Sequence, residues 1–472
     1  MSEAALVDTF TAALGARPCT VSFAGEPTLK SAFAVSELAA AAIATAGVAV
    51  SGLADDPAEV TVDRGLADAW FSAAVRPVGW ELPSPWDAVA GDYASADGWI
   101  RLHTNAPRHK AAALGVLGVA ADRELVARAV ADRPGEELEA AVVAAGGCAA
   151  VMRSAAEWAR HPHGAAVANE PLVHWTTTDA AGARPHWRPS PGRPLDGLRV
   201  LDLTRVIAGP VATRFLAGLG ADVLRVDPPD WHEPAVIVDM TLGKRASRVD
   251  ATTPVGRDAL ERLIAGADLL VHGYRPGALE ALVPLERRRV LRPGLVEVSL
   301  DAYGWSGPWA GRRGFDSLVQ MSSGIAEAGM RWADAARPTP LPVQALDHAT
   351  GYLAAAAAIE AVGRMRREGV ASAARLSLAR TARELAAAVP EPAAVPELVE
   401  GPPAERALRQ AQRPGSAQRP GQAQRPGSAQ RPTRITTPWG PADVLPSPLS
   451  IGDTRLNWQR GPSELGSDEP RW

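Results

Sequence analysis

The stretch LRVLDLTRVIAGPVATRFLAGLGADVLRVD, residues 198–227, decides the fold of this chain. Its two ends, 198–202 and 223–227, are short apolar runs typical of buried strands. Between them, residues 209–219 have the composition of a helix, and Gly220 follows where helices commonly end. A strand, a helix and a second strand at this spacing predict two parallel strands joined by a crossover helix.

The same alternation continues along the chain. Further strands are expected at 268–271, 295–299 and 375–378, with a helix at 257–264 and a long alanine-rich helix that begins near Asp347. Strands that alternate with helices predict an α/β fold with a parallel sheet. We therefore expect residues 195–386 to form a large Rossmann-like domain.

The rest of the chain divides by composition. Residues 93–175 predict a smaller α+β domain, and 176–194, rich in Thr, Gly, Pro and Arg, predict a linker. Residues 387–434 contain the repeat Ala-Gln-Arg-Pro at 411, 417, 423 and 429 and predict a disordered low-complexity linker. Residues 435–472 are expected to be a C-terminal return segment.

An internal similarity concerns residues 1–92. The block 35–63, a helix followed by Val-Thr-Val-Asp, resembles 348–377, a helix followed by a strand. Leu-Pro-Ser-Pro then occurs at 82–85 and again at 445–448. We interpret residues 1–92 as a degenerate, partial copy of the large domain, with coincidence between two alanine-rich helices as the alternative.

Composition excludes several classes of protein. The net charge is −4 over 472 residues, and no concentrated basic patch is present, so a nucleic-acid partner is not expected. The two cysteines stand in unrelated contexts without ligand spacing, so neither a disulfide framework nor a metal site is predicted. Without a signal-peptide pattern or a convincing membrane span, we expect a cytoplasmic protein with no membrane partner.

Asp347 is the most informative single residue. A carboxylate at a helix N-terminus lies among unpaired backbone N–H groups, which would keep it ionised and fix its direction. That placement suits a helix cap and also a carboxylate nucleophile. Spacing alone favours the cap.

The motifs around Asp347 resemble those of the family III CoA-transferases (CaiB/BaiF type), which include formyl-CoA transferase and α-methylacyl-CoA racemase. The segments that carry the resemblance, in chain order, are 201–210, 219–226, 243–245, 267–271 with 274–277, 303–308, 314–316 and 346–347. The segments 97–100 and 151–158 resemble, more loosely, the small domain of the same family. This order is rearranged, because the family places the small domain after the large one.

The resemblance implies a CoA-transferase, an enzyme that moves CoA between an acyl-CoA and a carboxylic acid. Asp347 falls on the family's nucleophilic aspartate, which forms covalent aspartyl intermediates, and Asp316 falls on a supporting acidic residue. Backbone N–H groups near Asp347 would bind the oxyanions. The racemase branch carries a histidine where this chain has Phe315, which argues against two-base racemisation. A racemase-like or other acyl-CoA enzyme and a non-catalytic CoA-binding homologue remain the alternatives.

The resemblance also implies which residues hold the substrate. Coenzyme A or acyl-CoA would enter as a substrate, with no permanently bound cofactor. The CoA-binding residues expected from the family motifs are Arg205, Ala208, Lys244, Arg245, Tyr274 and Arg275. Departures from the family pattern occur at Ile207, at Gly273 and in the absence of a glycine-rich loop, and they put catalysis in question.

The family forms dimers whose two chains interlock like linked rings. The resemblance therefore implies the same architecture, either as a homodimer or, after fusion and trimming of two such chains, as a pseudo-dimeric monomer.

Overall fold

The chain opens with a unit built around a long buried helix. In a computed structural model, residues 2–179, 187, 189–190, 192–388 and 431–472 are described. The elements of this unit are α1 (Glu3–Leu14), β1 (Val21–Ala24), α2 (Val35–Ser51), β2 (Val60–Asp63), α3 (Arg64–Ser72) and β3 (Val75–Pro77). Nearly every residue of α2 is buried, since it packs between α1 and the rest of the core.

A small antiparallel sheet with helices on it follows. Its elements are β4 (Gly91–Ser95), β5 (Gly98–Leu102), α4 (Pro107–Leu117), α5 (Arg123–Ala131), α6 (Gly135–Ala144) and β6 (Ala149–Val151). The strand order is β4-β5-β6, and the helices enclose a separate apolar cluster that contains Ile100, Val126 and Leu138. Two short helices, α7 (Ala155–Arg160) and α8 (Pro162–Ala168), lead on to the large sheet.

The large sheet is the centre of the molecule. Its strands and helices are β7 (His174–Asp179), β8 (Arg199–Leu203), α9 (Ala208–Gly218), β9 (Asp222–Asp227), α10 (Ile237–Met240), β10 (Arg245–Arg248), α11 (Pro254–Gly266), β11 (Leu269–His272), α12 (Ala278–Leu282), α13 (Leu285–Leu291), β12 (Val296–Asp301), α14 (Asp316–Ser322), α15 (Ile325–Trp332), α16 (Ala345–Glu368), β13 (Val370–Ser377) and α17 (Leu378–Ala387).

The strand order of this sheet is β10-β9-β8-β11-β12-β13-β7. The first six strands are parallel, and only β7 at the edge runs antiparallel, against β13. If the parallel strands are numbered along the chain, their order is 3-2-1-4-5-6, the doubly wound order of nucleotide-binding α/β proteins. The expectation of a mixed α/β fold with a large parallel sheet is confirmed.

The C-terminal residues complete the first unit. Their strands are β14 (Thr433–Thr437), β15 (Gly440–Val444), β16 (Leu449–Ile451) and β17 (Thr454–Arg455). β15 pairs with β3 and β16 pairs with β2, so chain segments nearly four hundred residues apart share two small sheets. Further on, the Trp458 ring lies against Gly218 and Gly243, and Trp472 lies against Gly266.

Two expected linkers differ from the structure in part. Residues 174–179 form the edge strand β7, so the linker expected at 176–194 begins inside the large sheet; its middle, 180–186, lies outside the described residues. The Thr-rich sequence of β7 shows little apolar alternation, because one face of this edge strand is open. Most of the low-complexity segment expected at 387–434 lies outside the described residues, and β14 begins at Thr433.

Helices α2 and α16 form the central pair of the core, and they begin in the same way. The residue before each helix, Ala34 or Gln344, has almost the same backbone dihedrals, φ −74° and ψ 64° in one and φ −75° and ψ 64° in the other. Each helix is followed by a strand, β2 or β13. Counted from these starting residues, Glu37 takes the position in α2 that Asp347 takes in α16.

A glycine in α16 controls how closely α9 can approach. A Cβ atom at Gly351 would lie 2.4 Å from the Ala208 carbonyl oxygen and 3.0 Å from the Val211 side chain. We expect Gly351→Ala to lower the free energy of unfolding by about 1–3 kcal/mol through overpacking, measured by denaturant unfolding. Gly363→Ala in the same helix is the control, because its Cβ would meet mainly the flexible end of Arg367. Equal effects of both changes would contradict this interpretation.

The helices give no sign of a membrane span. Across the described ranges, none is both long enough and apolar enough to cross a bilayer.

Candidate active site

A cavity of about 360 Å³ lies at the carboxyl ends of the parallel strands. The loops after β8, β11 and β12 form much of its wall, and Asp347 from α16 and Arg108 with His109 from α4 complete it. In the 3-2-1-4-5-6 order, β8 and β11 are the neighbouring strands where the direction of winding reverses. Open α/β sheets bind their ligands at this point. The cavity therefore has the expected position for a ligand site.

Asp347 does not cap its helix. The N-cap residue of α16 is Gln344, and Asp347 lies in the first turn. Its backbone N–H donates a hydrogen bond to Asp316 Oδ2 at 2.9 Å, so the Asp316 carboxylate takes the role of a cap from outside the helix. This arrangement leaves the Asp347 carboxylate directed at the cavity, which it lines.

The same arrangement corrects two expectations about Asp347. The helix start does not keep it ionised, because burial raises its pKa well above the ordinary value and the Asp316 carboxylate raises it further. The backbone N–H of Asp347 is also not available to a reaction intermediate, since Asp316 accepts it.

Asp316 is fully buried at the start of α14. Burial raises its pKa to about 6, although hydrogen bonds from the Asp347 backbone and the Gln320 side chain and the charge of Arg101 act in the opposite direction. Because Asp316 and Asp347 are neighbouring buried carboxyl groups, ionisation of one makes ionisation of the other less favourable.

This carboxyl pair predicts a pH dependence. A nucleophilic Asp347 must be ionised, and its raised pKa means that the reactive fraction grows with pH. We expect kcat/KM to rise with pH from 5 to 8, with a slope of about tenfold per pH unit on the acid side. Asp316→Asn removes the like charge and should move this limb to lower pH. A pH–rate profile unchanged in Asp316→Asn would contradict the coupling.

Five arginines give the cavity a positive wall. They are Arg108, Arg205, Arg275, Arg312 and Arg313. Arg312 is engaged by Glu139 at 2.9 Å, whereas Arg108, Arg275 and Arg313 have no acidic partner among the described residues. The pKa of Arg108 is lowered by burial and by the charges of Arg313 and Arg205, as expected for cations crowded around a common space. Such a wall favours a ligand with several negative charges.

Aromatic rings flank one of these arginines. The Arg205 guanidinium lies 5.0 Å from the ring centroid of Trp231 and 5.5 Å from that of Tyr274. All three side chains line the cavity. They form a flat, partly apolar surface beside the positive wall.

The loop that leads into α9 is strained at the cavity. Val206, a β-branched residue, has φ of +68°, a conformation that side chains of this kind rarely adopt. Its N–H donates to Glu233 Oε2 at 2.9 Å, which holds the loop in place. The helix that follows begins at Ala208, which lines the cavity, and the first backbone N–H groups of a helix have no acceptor within it. α9 thus presents donors to the cavity.

Not every expected residue lies at the cavity. Arg205, Ala208, Tyr274, Arg275 and Asp347 line it. Asp316 lies directly beneath, in contact with the first turn of α16.

Lys244 and Arg245 lie elsewhere, contrary to their expected role as CoA ligands. Lys244 is fully buried under α9, where its Nζ binds Asp202 at 3.0 Å and Thr213 at 2.6 Å. Arg245 pairs with Asp222 at 2.8 Å and donates to the Arg471 carbonyl oxygen.

Sequence reasoning missed the contribution of the small sheet unit. Arg108 and His109 reach the cavity from α4, and the His103 ring stacks on Phe315 with 3.7 Å between ring centroids. Burial lowers the pKa of His103 to about 3 and that of His109 to about 4, so both rings are neutral at pH 7. The sequence contained one sign of additional positive charge at the cavity, the pair Arg312-Arg313 directly before the motif 314–316.

Part of this chain is similar in sequence to known CoA-transferases. Residues 195–413 match the family described as CoA-transferase family III. A probable fatty acyl-CoA transferase of Mycobacterium tuberculosis is 32% identical over 204 residues, which cover 40% of this chain and 51% of that protein. A succinyl-CoA:glutarate CoA-transferase of Mus musculus is 33% identical over 195 residues, covering 37% of this chain and 44% of that protein.

A crystal structure of a CaiB/BaiF family protein from Brucella suis is 27% identical in sequence; the match covers 43% of this chain and 59% of that one, with a TM-score of 0.35. The chain spans about half the length, or less, of the curated relatives it matches. Residues 195–413, which contain the six parallel strands of the large sheet, are similar to the family III CoA-transferases.

Proposed function

We propose that this protein transfers CoA from an acyl-CoA to a carboxylic acid through covalent intermediates on Asp347. One observation carries the proposal. The Asp347 carboxylate faces a positively lined cavity at the switch point of the sheet, while Asp316 does the work of capping the helix. A buried carboxylate left without a structural task beside a ligand cavity is a candidate nucleophile.

The proposed reaction needs no external acid or base, because carboxylates and the CoA thiolate are the nucleophiles and leaving groups in every step. The Asp347 carboxylate attacks the acyl-CoA carbonyl carbon, the C–S bond breaks, and a mixed anhydride and CoA thiolate form. The thiolate attacks the aspartyl carbonyl, which releases the first acid as its carboxylate and leaves an aspartyl-CoA thioester. The acceptor carboxylate attacks this thioester to give a second anhydride and thiolate. Attack of the thiolate on the new acyl carbonyl gives the product and frees Asp347.

The remaining cavity residues fit the substrate. The guanidinium groups of Arg108 and Arg313, which have no acidic partner among the described residues, suit the pyrophosphate and 3′-phosphate of CoA. The surface formed by Arg205, Trp231 and Tyr274 suits a flat adenine ring. Backbone N–H groups at the start of α9, rather than those of α16, would stabilise the oxyanions.

The positive wall predicts a binding effect. We expect Arg108→Ala and Arg313→Ala each to raise the KM for acyl-CoA by about tenfold, because each removes a charge-assisted hydrogen bond to phosphate. Initial rates at varied acyl-CoA concentration measure this effect. Arg257→Ala, which changes an exposed arginine of α11 that is not part of the cavity wall, serves as the control. An unchanged KM in both cavity variants would contradict the placement of CoA.

Trapping tests the proposed intermediate directly. The protein is incubated with an acyl-CoA and then with hydroxylamine or borohydride, and the Asp347 peptide is examined by mass spectrometry. A hydroxamate or an alcohol at Asp347 is expected. An unmodified peptide, with CoA release absent, would favour a non-catalytic CoA-binding homologue. Ile207 and Gly273, the departures from the family pattern, both belong to loops at the cavity and give that alternative its basis.

Proton transfer at the α-carbon is the second candidate activity, as in a racemase. Phe315 cannot accept a proton, but the neutral His109 ring lines the same cavity. Among the described residues, its Nε2 accepts only a long contact from Arg108 Nε, at 3.4 Å. Incubation with a 2-methylacyl-CoA and a labelled carboxylic acid in D₂O separates the two activities. α-Deuterium in the recovered thioester would support racemisation, whereas CoA transfer to the labelled acid without α-deuterium would support transfer.

We further propose that this chain is a pseudo-dimeric monomer, in which one chain supplies the structural units that two interlocked chains supply in the family. The matched starts of α2 and α16, their packing against each other and the strands that follow both helices support this arrangement. It also accounts for a small unit that precedes the large sheet. Size-exclusion chromatography with light scattering tests the idea: a compact monomer of 49.3 kDa is expected, and a stable homodimer would contradict it.

The cytoplasm remains the proposed location. Both cysteines are free thiols: Cys148 is buried and Cys19 is partly exposed. Free thiols persist in a reducing compartment.

A further inference from the structure

One face of the large sheet is only partly covered. Helices α11, α12 and α13 cover this face over β9, β8 and β11, where Leu201, Leu224 and Leu270 pack against Leu260 and Leu263. Beyond α13 the same face continues over β12, β13 and β7. Register places Glu297 opposite Ala373, Ser299 opposite Arg375, and Ala373 opposite Thr176, so that this part of the face is largely polar.

A cleft of about 390 Å³ lies between α13 and this open face. The loop segment 274–276 forms one wall, and the same segment borders the Asp347 cavity on its other side. The cleft is therefore adjacent to the proposed active site but does not contain Asp347 or the start of α9. Its size is within the range of small-molecule sites.

The charge of the cleft is positive. Its lining contains five arginines and two glutamates. Arg288 forms salt bridges with both glutamates, Glu297 at 2.9 Å and Glu280 at 3.4 Å. Arg275 and Arg375 have no acidic partner in the described part of the chain, and the Arg375 guanidinium lies 5.1 Å from the Trp305 ring centroid. Two exposed cations beside apolar side chains favour an anion with an apolar body.

A buried polar group also points to a ligand. His272, the last residue of β11, lies on the cleft side of the sheet by register with Ser299 and is only 8% exposed. Its Nδ1 finds no hydrogen-bond partner among the residues that the structure describes. A buried polar atom left unpaired lowers stability, so such atoms are usually satisfied by a ligand or by water. Burial and the nearby Arg288 lower the His272 pKa to about 4, which leaves a neutral ring at pH 7.

We propose that this cleft is a second ligand site, separate from the Asp347 cavity, and that it binds a small organic oxyanion. Arg275 and Arg375 bind the oxyanion, His272 offers a hydrogen bond at the floor, and Leu285, Leu295 and Trp305 contact the apolar body. A carboxylate and a phosphate ester share this chemistry. The site does not depend on which reaction Asp347 performs.

Two probes with the same apolar body test the proposal, phenylacetate and phenyl phosphate. Calorimetric titration of the whole 472-residue chain is expected to show binding of at least one of them. Binding of phenylacetate alone identifies a carboxylate site, and binding of phenyl phosphate alone identifies a phosphate site. We expect Arg375→Ala and His272→Phe to weaken that binding by about tenfold and by severalfold, respectively.

Matched variants locate the bound probe. Arg108→Ala changes only the Asp347 cavity, and Arg257→Ala changes neither site. Binding that is lost in Arg375→Ala and kept in Arg108→Ala supports the cleft. Binding that is lost only in Arg108→Ala assigns the probe to the cavity and overturns the proposal, as does the absence of binding to the wild type. Arg375 is exposed, so its replacement leaves the fold intact, which circular dichroism checks.

Discussion

Asp347→Asn should abolish CoA transfer, with a loss in kcat on the order of 10⁴-fold or more. The amide has the size of the carboxyl group but cannot form the anhydride. The backbone N–H of residue 347 would still donate to Asp316, so the start of α16 is kept. Transfer of CoA between an acyl-CoA and a labelled acid, followed by chromatography, measures the effect.

Glu37→Gln provides the matched control for Asp347→Asn. Glu37 has the equivalent position at the start of α2, but it is not part of the cavity wall. The same carboxyl-to-amide change there should leave the transfer rate unaltered. If Asp347→Asn kept the wild-type rate, or if both variants lost activity equally, a nucleophilic role for Asp347 would be ruled out.

The Asp347→Asn variant should also be more stable than the wild type at neutral pH. The folded-state pKa of Asp347 lies above its unfolded value, so the folded protein binds more protons than the unfolded chain between these two values. Stability therefore falls as pH rises through this window, and it is lowest where the carboxylate is ionised. The amide in the variant carries no charge, so the gain in melting temperature should be large at pH 8 and small at pH 4. Replacing a reactive group that is buried in an unfavourable environment commonly raises the stability of the fold while removing activity.

Lys244→Ala should lower the free energy of unfolding by about 3–5 kcal/mol, because it leaves Asp202 buried without its cation. Both side chains are fully buried. Arg245→Ala, at the neighbouring position, removes a partly exposed pair with Asp222 and should cost about 0–1 kcal/mol. Denaturant unfolding gives both values.

A double variant distinguishes an ion pair from simple packing at this place. Asp202→Asn combined with Lys244→Met removes both charges and should recover part of the stability lost in Lys244→Ala. If Lys244→Ala were as stable as the wild type and instead weakened CoA binding, the lysine would be a substrate ligand, as its sequence motif first indicated.

The alternation of apolar strands and helices predicted the large sheet, because buried parallel strands are continuous apolar runs that sequence displays directly. The same reasoning could not place Lys244. A basic residue after a glycine turn gives the same sequence pattern whether its side chain points into a cavity or is buried beneath a helix. Strand β7 was missed because its threonines face an open surface, where no apolar pattern is needed.

The cavity was only half predictable. Asp347, Arg205 and Tyr274 lie in the loops and helix of one domain, where motif order is a guide. Arg108 and His109 belong to α4, a helix of the small sheet unit, and nothing local in α4 indicates which surface it will contact. The function of Asp316 as an external cap depends on a contact between α14 and α16, which is set by tertiary packing and not by spacing along the chain.

The pairing of β16 with β2 has a consequence for biosynthesis. The second of these strands to be translated, at 449–451, completes a sheet whose first strands emerged from the ribosome some four hundred residues earlier. Contacts this distant in sequence make folding slow and expose unfinished edges in the meantime. The nascent chain must therefore wait with its opening sheet incomplete, and a chaperone that shields β1 and β2 during synthesis should raise the yield of native protein.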